Sequence, residues 1–319
     1  MAIKLKYTDS LKSYLRLDAT AESNVVRELN AHLEDKKREL IEAGLSEKEA
    51  AATATRLLGS PQIVAKQMYE VYSQGSWRQA IFAALPHLLV AALFAMRCWQ
   101  NTFWLIGMVA AIGGAIIYGW CHGKPTWLFP WLGYCLTPVI AVGILLIYLP
   151  GNWSWFAVTA YIPLALLVIF SVTRQTIKRD WVFASLMLLP VPIVLGWMLA
   201  LEFEDKLIWH QQLHEFAPLI ALSFAVLALT VATFMRLRQR WAKVGALLVL
   251  EILILVIIWL GGKSTIGFGG WLTLVLLASL VLLGPAVLER QLRDSDRKRL
   301  KSSHKSTRWL LPLKWAKRN

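Results

Sequence analysis

Two patterns of hydrophobic and polar residues divide the chain near residue 77. From there to residue 288 the sequence consists of long apolar runs separated by short polar or basic connections. Each run is long enough to cross about 30 Å of hydrocarbon as a helix. The pattern predicts eight membrane spans, at residues 79–96, 103–121, 127–149, 153–172, 181–201, 216–235, 241–260 and 270–288.

Residues 1–76 instead carry apolar residues at a helical period within a charged sequence. This pattern predicts four short amphipathic helices that share one small core. The first helix is predicted to be capped by Asp9 or Ser10, and the second to run from about Ala21 to Ala43. The segment Ser46–Glu49 has the sequence of a capping box and predicts the start of the third helix. The segment Gly59–Pro61 combines a stop, an N-cap and a proline at the first helical position, so it predicts the start of the fourth.

The composition restricts the class of protein. Hydrophobic residues make up 57% of the chain, charged residues 17%, and the mean hydropathy is +0.51. A soluble domain is about half apolar and about a quarter charged, so the composition argues against a soluble enzyme and against a disordered chain. The sequence therefore predicts an all-α fold, a polytopic bundle of about eight transmembrane helices in residues 77–288 behind an N-terminal cytoplasmic four-helix domain in residues 1–76. Gln74–Ser76 is predicted to be the hinge between the two.

The net charge of +14 is unevenly distributed. Residues 289–319 contain 11 Lys and Arg against 3 Asp and Glu. The loops after the fourth and sixth predicted spans are also basic, whereas the loop after the fifth contains Glu202, Glu204 and Asp205. Lys and Arg are enriched in cytoplasmic loops, so this distribution predicts that both termini are cytoplasmic, in a bacterial cytoplasmic (inner) membrane.

Residues 289–319 are predicted to form a basic cytoplasmic tail that binds anionic lipid. Basic clusters alternate there with aromatic and leucine residues, and cations close to a membrane surface are attracted to anionic headgroups. The candidate lipid-binding residues are Arg297, Lys298, Arg299, Lys301, Trp309 and Trp315. More than half of the excess positive charge lies in this tail, directly after a membrane span, where anionic lipid is the nearest partner. The positive net charge therefore does not predict direct binding of nucleic acid.

No motif for catalysis or metal binding is found. Cys98, Cys121 and Cys135 lie in or beside apolar runs, and no CxxC motif or Cys/His pair has the spacing of metal ligands. His210 and His214 are four residues apart and could share a helical face toward a metal, but no Glu follows His210 as in HExxH, and a solvated acidic loop is the preferred interpretation. The sequence predicts no catalytic residue, no cofactor and no metal site, and it does not indicate an enzyme.

Two ionisable residues lie near the predicted midplane of the bilayer. Glu251 is nine residues before Leu260 in the seventh span, and His87 is nine residues after Arg78 in the first. Ionisable side chains within spans are costly and often functional. We predict that His87 and Glu251 form an intramembrane polar pair that responds to protons; the alternative is a protonated Glu251 that only orders the bundle.

The N-terminal segment resembles a known signalling domain. The helix around His32 is followed by Ala43-Gly44-Leu45-Ser46 and then by Leu58-Gly59-Ser60-Pro61. This order resembles the HAAS (HTH-associated α-helical signalling) domain and the related permease prefix domain, although Ser60 stands where the family usually has Asp. The match covers about a quarter of the chain. By this resemblance, His32, Glu34 and Asp35 are the candidate partner-binding surface.

The resemblance implies a cytoplasmic module in front of membrane helices. Such modules are associated with PadR-like transcription regulators or are attached to ABC-type permeases, so a PadR-like regulator or an ABC-type ATPase is the expected partner. Those permeases have a large extracytoplasmic domain, whereas no loop here exceeds about 15 residues. We therefore predict a role in signalling or regulation, in which the helical domain couples a membrane-sensed state to a soluble partner. The alternative is a transporter or permease component with a path past His87 and Glu251.

Overall fold

The structure is a computed structural model that describes residues 2–15, 17, 19–122, 125–148, 155, 157–177, 180–201, 206–262 and 265–309. The described chain is 89% helical and contains no strand, as the predicted all-α class requires. Its α-helices are α1 (Ala2–Tyr14), α2 (Ala19–Glu42), α3 (Glu47–Leu58), α4 (Pro61–Tyr72), α5 (Trp77–Ala95), α6 (Thr102–Cys121), α7 (Leu128–Tyr148), α8 (Ile162–Ile177), α9 (Trp181–Leu188), α10 (Pro190–Ala200), α11 (Lys206–Arg236), α12 (Arg240–Gly262) and α13 (Phe268–Trp309).

The first helix is longer than the sequence pattern predicts. It begins at Ala2, and the cap predicted at Asp9 or Ser10 is therefore wrong. The additional turns bring Tyr7 into a buried cluster with Leu33 of α2 and Ala54 of α3, and the Tyr7 hydroxyl donates to a backbone carbonyl at the end of α3. The buried tyrosine ring fills space between the two neighbouring helices, and this contact stabilises the helical turns that precede the predicted cap.

Local capping signals define α3 and α4 as predicted. Ser46 accepts a hydrogen bond from the backbone N–H of Glu49, and the Glu49 carboxylate accepts from Ser46 in return. Gly59 ends α3 with φ of +92°, a conformation in which a Cβ is strained. Ser60 then caps α4, and Pro61 occupies its first turn.

Seven of the described helical segments are long and apolar enough to cross a membrane, so the chain is a multi-pass membrane protein. They are Trp77–Ala95, Thr102–Cys121, Thr159–Ile177, Trp181–Ala200, Gln211–Arg236, Arg240–Gly262 and Phe268–Leu292. A further apolar helix, α7, packs against α5, α6, α9 and α10 within the same bundle.

The pair α9–α10 forms the centre of the bundle. Within an apolar stretch of 18 residues in this pair, 72% of the residues are buried, the largest share among the seven segments. The pair contacts α7, α8, α12 and α13. The two helices meet at Leu189, directly before Pro190, whose ring cannot continue the hydrogen-bonded ladder. Gly133 of α7 faces the carbonyl oxygen of Met187 so closely that a Cβ would overlap it. The close contact between α7 and α9 therefore requires glycine.

The segment predicted as a hinge is held against the bundle. The Gly75 N–H donates to the carbonyl oxygen of Met235 at 2.8 Å, and Arg236 donates to the Gly75 carbonyl at 3.0 Å. Ser76 then caps α5 through a second capping box with Gln79. We call the end of the bundle where these contacts lie the junction end, because α4 meets the membrane helices there.

Candidate functional site

Charged side chains are buried at the junction end, between α4 and the first turns of α9 and α12. Asp180 and Lys243 are each 0% exposed, and Glu289 of α13 is also buried. Burial of a charge is costly unless the charge is paired and hydrogen-bonded, so the partners of these groups are informative. Together with Tyr69 and Arg240 they form what we call the junction network.

Asp180 is the acceptor at the centre of the junction network. As the N-cap of α9 it accepts a hydrogen bond from the backbone N–H of Val182, a role for which aspartate is favoured. Its Oδ1 accepts from Nη2 of Arg240 at 2.9 Å, and its Oδ2 accepts from the hydroxyl of Tyr69 at 3.1 Å. One carboxylate therefore connects α4, α9 and α12.

Arg240 extends the network to the last helix. Its Nη2 also lies 3.5 Å from Oε2 of Glu289 on α13. The guanidinium lies over the ring of Trp181, 5.6 Å from the ring centroid, where a cation is attracted to the aromatic face. The guanidinium thus stands between two carboxylates, and the charges of Arg240, Lys243, Asp180 and Glu289 balance.

Lys243 makes the second connection to the N-terminal helices. Its Nζ donates to the backbone carbonyl of Ser73, just after α4, at 3.1 Å. The ammonium also lies 5.2–5.5 Å from the ring centroids of Tyr69, Phe183 and Phe234. Aromatic faces and a carbonyl oxygen compensate the buried ammonium, which has donors but no acceptor.

Hydrogen bonds at the edge of the junction end add to this connection. The Ser73 hydroxyl donates to the carbonyl oxygen of Arg238 at 3.1 Å, and Arg238 Nε donates to Oε1 of Gln74 at 2.7 Å. Arg236 lies 4.6 Å from the ring centroid of Trp77. The loop between α11 and α12 is therefore joined to residues 73–77 by backbone and side-chain contacts.

The structure does not bring His87 and Glu251 together. His87 is buried, and its Nδ1 lies 2.6 Å from the hydroxyl of Tyr134 on α7. Its helix, α5, packs on α7 and α11, whereas α12, which carries Glu251, packs on α10, α11 and α13. The predicted pair is therefore wrong, because a match in depth along the membrane normal contains no information on which helices are neighbours.

Glu251 has an apolar environment instead. It lines a small cavity of about 10 Å³ together with Pro192, Leu274 and Ala278. Its Oε1 is buried and has no hydrogen-bond partner among the described residues. This cavity has room for about one water molecule at most.

The other residues proposed from the sequence fall in different places. His32, Glu34 and Asp35 are exposed on α2, on either side of the buried Leu33 in the sequence. In the tail predicted to bind lipid, the backbone of residues 289–309 continues α13 without a break. The side chains of Arg297, Lys298, Arg299, Lys301 and Trp309, and all of Trp315, lie outside the described part of the chain. Within the described residues no group of three His, Cys, Asp or Glu side chains could hold a metal ion.

Sequence reasoning missed the junction network. In the sequence alone, Arg240 and Lys243 belong to a basic loop and indicate only how the spans are oriented in the membrane. Nothing in the sequence around Tyr69 indicates that it takes part in a buried site. A signal was available, because Asp180 is the only acidic residue between Glu70 and Glu202. A lone carboxylate at the start of an apolar helix, after a basic loop, is a candidate for a buried ion pair.

Comparison with other proteins adds no relative. No family model, no curated protein and no solved structure matches this chain. The resemblance of α1–α4 to the HAAS domain therefore depends on the sequence pattern alone.

Proposed function

We propose that this integral membrane protein acts in signalling or regulation, by coupling the state of its membrane bundle to the N-terminal helices and through them to a soluble partner. The observation that carries the proposal is the junction network. Asp180 joins Tyr69 of α4 to Arg240 of α12, and Lys243 joins α12 to the carbonyl of Ser73. A displacement of α9 against α12 then has to move α4 or break a buried ion pair.

The positions of Trp77 and Trp181 support eight spans rather than seven. Eight is an even number, so both termini would lie on one side. Trp77 and Trp181, which begin α5 and α9, both lie at the junction end, so an even number of crossings separates them. Helices α5, α6 and α8 account for three crossings, and α7 supplies the fourth. The basic residues at this end, such as Arg236 and Arg238, favour the cytoplasmic side of a bacterial inner membrane.

The proposed partner-binding surface is on α2. His32, Glu34 and Asp35 are exposed there, and α2 contacts α1 and α3 rather than the bundle. By the resemblance to HAAS domains the partner is a PadR-like transcription regulator; an ABC-type ATPase is the other expected class. No direct contact with nucleic acid is proposed, because this surface is acidic and the basic tail follows a membrane helix.

Transport is the alternative function, and the contacts in the bundle favour it less. A single path past His87 and Glu251 requires the two side chains to line one cavity. They contact different helices, and the cavity beside Glu251 measures only about 10 Å³. Transport predicts flux in liposomes that survives deletion of residues 1–76 and is lost in Glu251→Gln.

The coupling is tested by partner binding to the full chain in nanodiscs. The probe is a purified PadR-like regulator from the bacterium that encodes the protein, and its affinity is measured by biolayer interferometry. We expect binding that is lost in the triple variant His32→Ala, Glu34→Gln, Asp35→Asn and is altered in Asp180→Asn, which leaves α2 untouched. Lys48→Gln, an exposed change on α3, is the control. Equal affinity of wild type and Asp180→Asn would show that α2 works independently of the bundle.

A further inference from the structure

A cavity of about 640 Å³ lies at the junction end, between the N-terminal helices and the bundle. Its walls come from α1 and α4 on one side and from the first turns of α9 and α12 on the other. The volume is within the range of pockets that bind small ligands or headgroups. The residues used below are Gln62, Lys66, Glu70, Trp181, Arg240 and Trp241.

The cavity lies at the level where the hydrocarbon of the bilayer begins. Trp181 and Trp241 stand at the first turns of two candidate membrane spans, and Trp241 is 85% exposed. Tryptophan prefers the boundary between headgroups and hydrocarbon. Past Trp241, α12 presents Val244, Leu248 and Ile252 at a spacing of four residues, with Leu248 and Ile252 exposed. The opening is therefore continuous with an apolar helix face that acyl chains can follow.

The polar wall of the cavity carries charges of both signs. Gln62, Lys66 and Glu70 follow one another at a spacing of four residues, so they form one stripe on α4. Lys66 is exposed and has no partner within the described part of the chain. Arg240 lies on the opposite wall, and among the described lining residues Glu70 is the one carboxylate. The wall offers the ammonium of Lys66, the carboxylate of Glu70 and the guanidinium of Arg240. The Nη2 of Arg240 is already paired with Asp180 and Glu289, and the Arg240 side chain is 32% exposed.

We propose that this cavity binds the headgroup of an amine-bearing zwitterionic phospholipid, of the phosphatidylethanolamine class. The phosphodiester accepts hydrogen bonds from Lys66 and Arg240, since cationic donors suit its oxygens. The primary ammonium donates to Glu70, and the acyl chains leave past Trp241 along α12. An anionic headgroup without an amine, such as phosphatidylglycerol, leaves Glu70 without a counter-charge and is disfavoured.

Native mass spectrometry of the delipidated full-length protein tests this assignment. The protein is titrated in detergent with phosphatidylethanolamine, phosphatidylglycerol or phosphatidylcholine. Wild type is expected to bind the first phosphatidylethanolamine more tightly than either other lipid. Lys66→Gln should weaken all three by about fivefold, the loss of one cation beside a lipid phosphate. Glu70→Gln should remove the preference and place phosphatidylglycerol at or above phosphatidylethanolamine.

The controls separate this site from lipid bound elsewhere. Lys48→Gln and Glu42→Gln make the same changes at exposed positions away from the cavity, and they should leave the titrations unchanged. Lys66 is exposed and Glu70 is partly buried at the cavity wall, and both changes keep the size of the side chain closely, so the variants should keep the wild-type circular dichroism spectrum. If Lys66→Gln and Glu70→Gln match their controls with every lipid, the proposal is overturned. Displacement of the lipid by an equal concentration of soluble phosphoethanolamine would overturn the assignment to a membrane lipid. Binding here is measured without a soluble partner, so it does not depend on the proposed coupling.

Discussion

Replacement of Asp180 by asparagine removes one charge from the junction network and leaves its shape. The asparagine side chain could still accept from one donor, yet the ionic bond to Nη2 of Arg240 at 2.9 Å and the charge facing Tyr69 would be lost. We expect α4 to separate more often from α9 and α12, while the membrane bundle stays assembled through its apolar core.

The magnitude follows from burial. Removal of one partner from a buried ion pair costs about 3–5 kcal/mol, because the remaining charge is left uncompensated. Here Glu289 remains 3.5 Å from the same nitrogen of Arg240, and asparagine keeps part of the hydrogen bonding. The expected cost is therefore about 2–3 kcal/mol for the contact between α4 and the bundle. This corresponds to an opening equilibrium raised between about 30- and 140-fold.

Hydrogen exchange in nanodiscs measures this opening directly. The Gly75 N–H is the natural reporter, because it donates to the carbonyl of Met235 across the junction. Its exchange should accelerate by the factor above, together with that of the last turn of α4. Glu215→Gln is the matched control, since Glu215 is exposed on α11 about 30 Å along the helix from Arg236.

Two exchange patterns in Asp180→Asn would contradict this role of Asp180. If the Gly75 amide in Asp180→Asn exchanged within about twofold of wild type and of Glu215→Gln, the network would not hold α4 to the bundle. A faster exchange confined to the first turn of α9 would show that Asp180 is only a helix cap.

Three further outcomes are expected. Gly133→Ala should lower Tm by several degrees in detergent, because its Cβ overlaps the carbonyl of Met187, whereas Gly107→Ala, with open space around it, should not. Glu251→Leu should stabilise the bundle by about 1–3 kcal/mol, since it removes a buried oxygen without a partner in the described chain; a lower Tm would mean that the carboxylate has one. Hydrogen bonds from the N-cap of α3 hold the pKa of Glu49 below its ordinary 4.5. The ionised Glu49 stabilises α3 above that value, and this stabilisation is lost as pH falls through the lowered pKa. Protection factors of the α3 amides, which correct for the intrinsic pH dependence of exchange, should therefore fall more in wild type than in Glu49→Gln, where Glu47, whose pKa Lys37 lowers, still titrates.

Local signals predicted the fold where they act within a few residues of each other. The capping box at Ser46 and the sequence Gly59–Pro61 define α3 and α4 because each hydrogen bond closes within one turn. Apolar runs predicted membrane helices because a span must satisfy its own backbone and its length is fixed by the bilayer. The start of α1 was missed because Tyr7 is buried by contacts with distant residues of α2 and α3.

The candidate site could not be predicted in the same way. Tyr69 and Asp180 are 111 positions apart, and only helix packing decides that they meet. His87 and Glu251 show the converse, since both lie deep in spans yet contact different helices. An apolar span of Leu, Ile and Val carries little information on its neighbours, because these side chains pack on many partners and on lipid with similar energy.

The junction network gives a physical reason for one fixed orientation of the N-terminal helices. Apolar contact is not directional, and four short helices bury little surface with which to select an orientation. A carboxylate that must accept from both Tyr69 and Arg240 fits one arrangement of α4 against α9 and α12, because any shift leaves a buried charge unpaired. The proposed coupling depends on the same property. In that proposal, a bundle movement too small to disturb apolar packing would change these distances, and the cost of an unpaired charge would transfer the movement to α4.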